Sequence, residues 1–93
     1  MVLIMAIVFG IDVSKATSNV AVINDDTTVW QSKINNDWFG FQELLKHLQE
    51  YREPQIVFEA TGVYSQRLRR FLDDHQYRYS QLNPLAAKKQ LDG

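Results

Sequence analysis

Hydrophobic and polar positions divide this chain into alternating runs, and the spacing within each run predicts its geometry. An almost unbroken apolar stretch, Met1 to Ile11, closes on Asp12, and reads as a buried strand. Thr17 to Ile23 alternates, with Val20 and Val22 on one side and Ala21 and Ile23 on the other. After the turn signal Asn24-Asp25-Asp26 the β-rich run Thr27 to Ile34 returns. Connections this short predict three antiparallel strands.

Asn35-Asn36-Asp37 then offers N-cap candidates for a helix whose apolar positions Trp38, Phe41, Leu44, Leu45 and Leu48 recur at three-and-four spacing. Arg52-Glu53-Pro54 stops it, and Gln55 to Glu59 reads as a short central strand. A helical crossover between two strands of one sheet predicts parallel pairing, so the fourth strand should lie alongside the first in the same direction. A second helix is expected from about Tyr64 to Asp74 with Leu68, Phe71 and Leu72 inward, and a fifth strand from Tyr77 to Leu82. Asn83-Pro84 should end that strand, and Leu85 to Leu91 reads as the start of another helix. Trp30, Trp38, Phe39 and Phe41 are expected to pack in the core and at its margins.

At 93 residues the chain makes one domain with a thin core, and a charged fraction of 23% against 45% hydrophobic is that of a folded globular protein rather than a disordered one. A net charge of −1 excludes a surface that grips nucleic acid everywhere, leaving a local basic patch open. The absence of cysteine excludes disulfides, zinc-thiolate sites and thiol catalysis. No Lys or Arg precedes the first apolar run and no small-residue cleavage site follows it, so it is read as a strand and not a signal peptide. It is too short for a membrane-spanning helix, and a cytoplasmic location without membrane contact is expected.

Candidate chemistry lies where the apolar strands run out. If strands one and four are parallel neighbours, Asp12 and Glu59 emerge at the same rim, and paired carboxylates there suit metal-assisted phosphoryl chemistry. The order β-β-β-α-β-α-β with these two acids is the layout of the ribonuclease-H-like fold, an α/β mixed sheet with helices packed on it. The motifs Phe9-Gly10-Ile11-Asp12-Val13-Ser14-Lys15, Phe58-Glu59-Ala60-Thr61-Gly62-Val63-Tyr64 and Leu82-Asn83-Pro84 go further. In that order and spacing they resemble the N-terminal part of the DEDD-type insertion-sequence transposases, the group that includes the Piv-like DNA invertases.

The resemblance implies a RuvC-like site of four carboxylates holding Mg2+ or Mn2+, with Asp12 as the first and Glu59 as the second. It also implies DNA as the partner, and a guide RNA in the full-length protein. Members of that family are several times longer, so residues 1–93 are expected to be the N-terminal part of one catalytic domain, inactive alone. The other two aspartates would lie beyond Gly93. Lys15 either steadies a phosphate or belongs to the turn after the first strand. Thr61 opens the second helix, where free N–H groups can receive an anionic backbone, although a strand-to-helix turn needs such residues anyway. Tyr64 either stacks on nucleic acid or packs inside. Arg67, with Arg69, Arg70, Lys88 and Lys89, forms either a basic rim for phosphates or a solvated face. His47 and His75 lack the spacing of a metal pair and are expected at the surface. Two other classes stay open: a nucleotide-binding module of the actin and sugar-kinase type, although Ser14 stands where such proteins carry glycine, and a non-catalytic assembly domain. An uncovered sheet face also predicts self-association into a homo-oligomer.

Overall fold

The computed structural model describes residues 6–59 and 62–82. Strands β1 (Ile7–Val13), β2 (Thr17–Asn24) and β3 (Thr27–Asn35) precede helix α1 (Trp38–Leu48). Strand β4 (Gln55–Glu59), a 3-10 turn (Gly62–Ser65), helix α2 (Gln66–Asp74) and strand β5 (Ser80–Leu82) follow. The five strands form one mixed sheet in the order β3-β2-β1-β4-β5. As the pattern predicts, β1 runs antiparallel to β2 and parallel to β4, with Phe9 opposite Ile56 and Ile11 opposite Phe58. This is the α/β, ribonuclease-H-like arrangement.

The β2-β3 hairpin turns through Asp25 and Asp26, both with positive φ, 47° and 71°. Two such residues form the tight turn whose twist matches the flanking strands, and Asp tolerates that conformation better than most side chains. Register shifts between Val22 and Ile23, so Val29 is the unpaired residue of a bulge.

All the burial is on one side. Phe9, Ile11 and Val13 of β1, Val20 and Val22 of β2, and Ile56 and Phe58 of β4 pack with Phe41, Leu44 and Leu48 of α1 and Leu68, Phe71 and Leu72 of α2. Phe41 stacks on Phe71 with centroids 5.2 Å apart, joining the two helices. The opposite face, carrying Val8, Gly10, Ala21 and Val57, has no helix over it among the described residues.

Several expectations need correction. Trp38 and Phe39 are 67% and 76% exposed, not packed. The inward position of the first turn is Gly40, where a Cβ would lie on the Asn35 carbonyl oxygen, so Trp38 and Phe39 stay outside and the buried side chains begin at Phe41. Helix α2 starts at Gln66, because Gly62, at φ 61°, turns the chain into a 3-10 segment closed by the Ser65 hydroxyl donating to the Gly62 carbonyl. The fifth strand starts only at Ser80. Tyr77 is used to end α2 instead: its N–H donates to the Leu72 carbonyl and that of Gln76 to Asp73, with Gln76 left-handed at φ 62°. This is a helix-ending motif usually built on glycine. His47 is half-buried, stacked on Trp30 at 3.7 Å, whereas His75 is exposed as expected. The expected end at Asn83-Pro84, the helix Leu85–Leu91, Lys88 and Lys89 lie outside the described residues.

Candidate functional site

Alternation along β1 buries Phe9, Ile11 and Val13 and sends Gly10 and Asp12 to the open face. In β4 it buries Ile56 and Phe58 and leaves Val57 and Glu59 on that same face. Because Ile11 and Phe58 are register partners in parallel strands, Asp12 and Glu59 each stand one residue further on. Neighbouring strands lie about 4.8 Å apart, so the two exposed carboxylates share one rim and one shallow hollow, which Asn19, Gln31 and Leu82 also line.

The register exposes two residues that sequence reasoning missed. Asn19 pairs with Asp12, and Lys33 pairs with Asn19, while Leu82 pairs with Glu59. A single row across the open face therefore reads Lys33, Asn19, Asp12, Glu59, Leu82. The signal was present in the alternation of β2, which sets Asn19 opposite in face to Val20, but it becomes a site only once strand pairing is known. The row beneath, Gln31, Ala21, Gly10, Val57 and Ser80, is small or apolar at its centre.

What holds Asp12 in place is a buried polar cluster that the sequence disguised as a helix cap. Asn36 is 5% exposed; its Oδ1 accepts from the Ser18 hydroxyl at 2.6 Å, and its Nδ2 donates to the carbonyls of Ser14 at 2.8 Å and Thr17 at 3.1 Å. The Asn36 N–H donates to the Ala16 carbonyl. One side chain thus clamps the β1-β2 turn that begins two residues after Asp12. The cap itself is Asp37, whose carboxylate accepts from the Gly40 N–H at 2.8 Å.

Of the other residues singled out, Lys15 is exposed in the turn that Asn36 clamps, a turn closed by the Ser14 N–H donating to the Thr17 carbonyl. Tyr64 is 45% exposed, so it is not a core residue. Arg67 is exposed and donates from its guanidinium to the Asn36 carbonyl at 3.2 Å, tying α2 to the same cluster. Thr61 lies outside the described residues. Tyr77 and Tyr79, with phenols pushed above their ordinary range, sit before β5 at the opposite rim. Burial raises Tyr77; burial, then the Asp73 carboxylate, raises Tyr79.

Two hard oxygen donors on one face, with no Lys, Arg or His within 4.0 Å among the described residues, leave their charge uncompensated. That donor chemistry fits Mg2+ or Mn2+, which take carboxylates and keep several waters. No group of three or more candidate ligands occurs among the described residues. None of the described helices is long and apolar enough to cross a membrane.

A ribonuclease-H-like sheet with paired acids at the C-terminal rim of β1 and β4 defines a class, and similarity narrows it. Residues 9–92 match the DEDD family of the IS110 type, described as "Transposase", and the chain belongs to that family. The pilin gene-inverting protein of Moraxella bovis is 32% identical over 81 residues, covering 82% of this chain and 24% of that protein. The pilin gene-inverting protein of Moraxella lacunata matches with the same figures. The chain thus spans about a quarter of the length of these relatives. A crystal structure of the Aquifex aeolicus member of the Ppx/GppA family superimposes with a TM-score of 0.42 at 13% identity, covering 87% of this chain and 36% of that one.

Proposed function

We propose that the chain is the N-terminal part of a metal-dependent DNA recombinase that cleaves and transfers strands, with Asp12 and Glu59 as two of its metal ligands. The observation that carries this is their register: same face, same rim, adjacent parallel strands. A bound Mg2+ or Mn2+ would activate a nucleophile and stabilise the leaving oxygen of a phosphodiester. The remaining donors, absent from the described residues, would come from elsewhere in a longer protein.

The chain's own residues supply position and charge. Asn36, by clamping the turn after β1, fixes the rim from which Asp12 projects. Asn19 is the strand partner of Asp12 and offers an amide beside it, while Lys33, two strands away at roughly 10 Å, gives the row a positive end facing an approaching phosphate. Lys15 in the turn, Tyr64 and Arg67 at the start of the second helical segment, and Thr61, which precedes that segment in sequence, are the proposed DNA contacts. The relatives are named for inverting a pilin gene; inversion or transposition of a DNA segment is the corresponding activity here.

The test is an intermolecular strand-cleavage assay on the longest reading frame carrying residues 1–93, with Mg2+ and again with EDTA. Cleavage should require the cation and disappear in both Asp12→Asn and Glu59→Gln. Cleavage that survives either substitution removes these residues from the chemistry.

A further inference from the structure

Near the rim that carries Asp12, α1 opens with aromatic surface that the fold does not use. Trp38 and Phe39 are 67% and 76% exposed, with rings meeting edge to face at 5.2 Å. Neither belongs to the buried stripe of α1, which is Phe41, Leu44 and Leu48. Trp38 lines a hollow together with Arg67 and Arg70. Asp37 and Asp74 line it too, yet among the described residues no carboxylate lies within 4.0 Å of either guanidinium. Asp37 is occupied in capping Gly40. Arg67 spends one bond on the Asn36 carbonyl and keeps its other donors.

We infer that Trp38 and Phe39 form a stacking platform for the bases of an unpaired DNA strand whose phosphates are received by Arg67 and Arg70. The inference rests on the recombinase reading and adds the state of the DNA. Flat, exposed aromatic faces beside guanidiniums unpaired with acids are what single strands require: every base has a face to stack, and every link carries a negative charge. A duplex offers no free base faces away from its ends. An apolar protein partner would leave two guanidiniums buried without counter-charges.

Placement supports the same reading. Asp12 is two residues from Ser14, Ser14 is bonded to Asn36, and Asn36 is two residues from Trp38. At ~3.8 Å per residue step the path from Asp12 to Trp38 is no longer than roughly 25 Å. At ~3.4 Å per base step that is a strand of at most about seven nucleotides. A strand opened for cleavage at Asp12 and Glu59 can therefore have its unpaired bases held on Trp38 and Phe39.

The experiment is fluorescence anisotropy of a labelled single strand of about 12 nucleotides with the 93-residue chain in EDTA, against a hairpin duplex of equal length. The single strand should bind more tightly than the duplex. Trp38→Ala and Phe39→Ala should each weaken it about tenfold, while Trp38→Phe, which keeps an aromatic face, stays within about threefold. Arg70→Ala should weaken binding and flatten its salt dependence. Circular dichroism should show all variants folded, since none of these side chains is in the core. Because binding is read in EDTA, with no cation at the rim, loss of the platform is read separately from loss of the metal site. Unchanged affinity in Trp38→Ala, equal affinity for duplex, or a Trp38→Ala effect confined to self-association in sedimentation would each overturn the inference.

Discussion

Replacing Asn36 with Ala should be the most damaging polar substitution among the described residues. It removes three hydrogen bonds at once: one from the Ser18 hydroxyl and two to the carbonyls of Ser14 and Thr17. Ser18 is 1% exposed, so its hydroxyl is left buried with no partner. A net loss of about 1 kcal/mol for each of the two bonds to the carbonyls, with about 1–3 kcal/mol for the orphaned Ser18 hydroxyl, gives about 3–5 kcal/mol in all. In a domain of this size each kcal/mol moves the midpoint by ~4–8 °C, so Tm should fall by at least about 12 °C in a thermal melt followed by circular dichroism. The double variant Ser18→Ala/Asn36→Ala isolates the mechanism. With the orphan removed it should be less destabilised than the two single effects summed, by about 1 kcal/mol or more. A Tm for Asn36→Ala within about 2 °C of the parent chain, or strict additivity in the double variant, would refute the account of this cluster.

Gln76→Gly should stabilise the chain by about 0.5–1 kcal/mol, because glycine adopts the φ of 62° at the end of α2 without steric cost; urea denaturation reads this directly. Asp37→Ala removes the acceptor of the Gly40 N–H and should cost about 1 kcal/mol in the same assay. Gly40→Ala should cost more than Asp37→Ala, since its Cβ would collide with the Asn35 carbonyl, and the circular dichroism helix signal should fall with it. Lys33→Ala should leave stability within about 0.5 kcal/mol, yet lower the slope of log affinity against log salt for DNA by about one.

Much of this architecture can be read from the chain because local and long-range signals agree. The alternation in β2, the Asn24-Asp25-Asp26 turn and the Pro54 stop each fix one element, and the helical crossover from β3 to β4 forces the parallel pairing that brings Asp12 and Glu59 to one rim. The failures have local causes. Trp38 satisfies helical spacing, but the inward position of its turn is taken by Gly40, packed against Asn35. Tyr77 looks like strand and is captured by the end of α2. Asn36 looks like a cap but points inward, because Asp37 does the capping and Ser18, eighteen residues earlier, needs a partner. Lys33 and Asn19 could not be recognised as neighbours of Asp12 without the register of three strands, which is tertiary information.

The claim that Asp12 and Glu59 hold a common cation is tested most directly by Mn2+ titration of the chain, followed through paramagnetic broadening of its backbone amide signals. Residues 12, 19 and 59 should broaden first, ahead of the exposed acidic pairs Asp25-Asp26 and Asp73-Asp74, and Asp12→Asn and Glu59→Gln should each abolish that early broadening. Broadening centred on either of those other pairs, or persisting at the rim in one single variant, would contradict it.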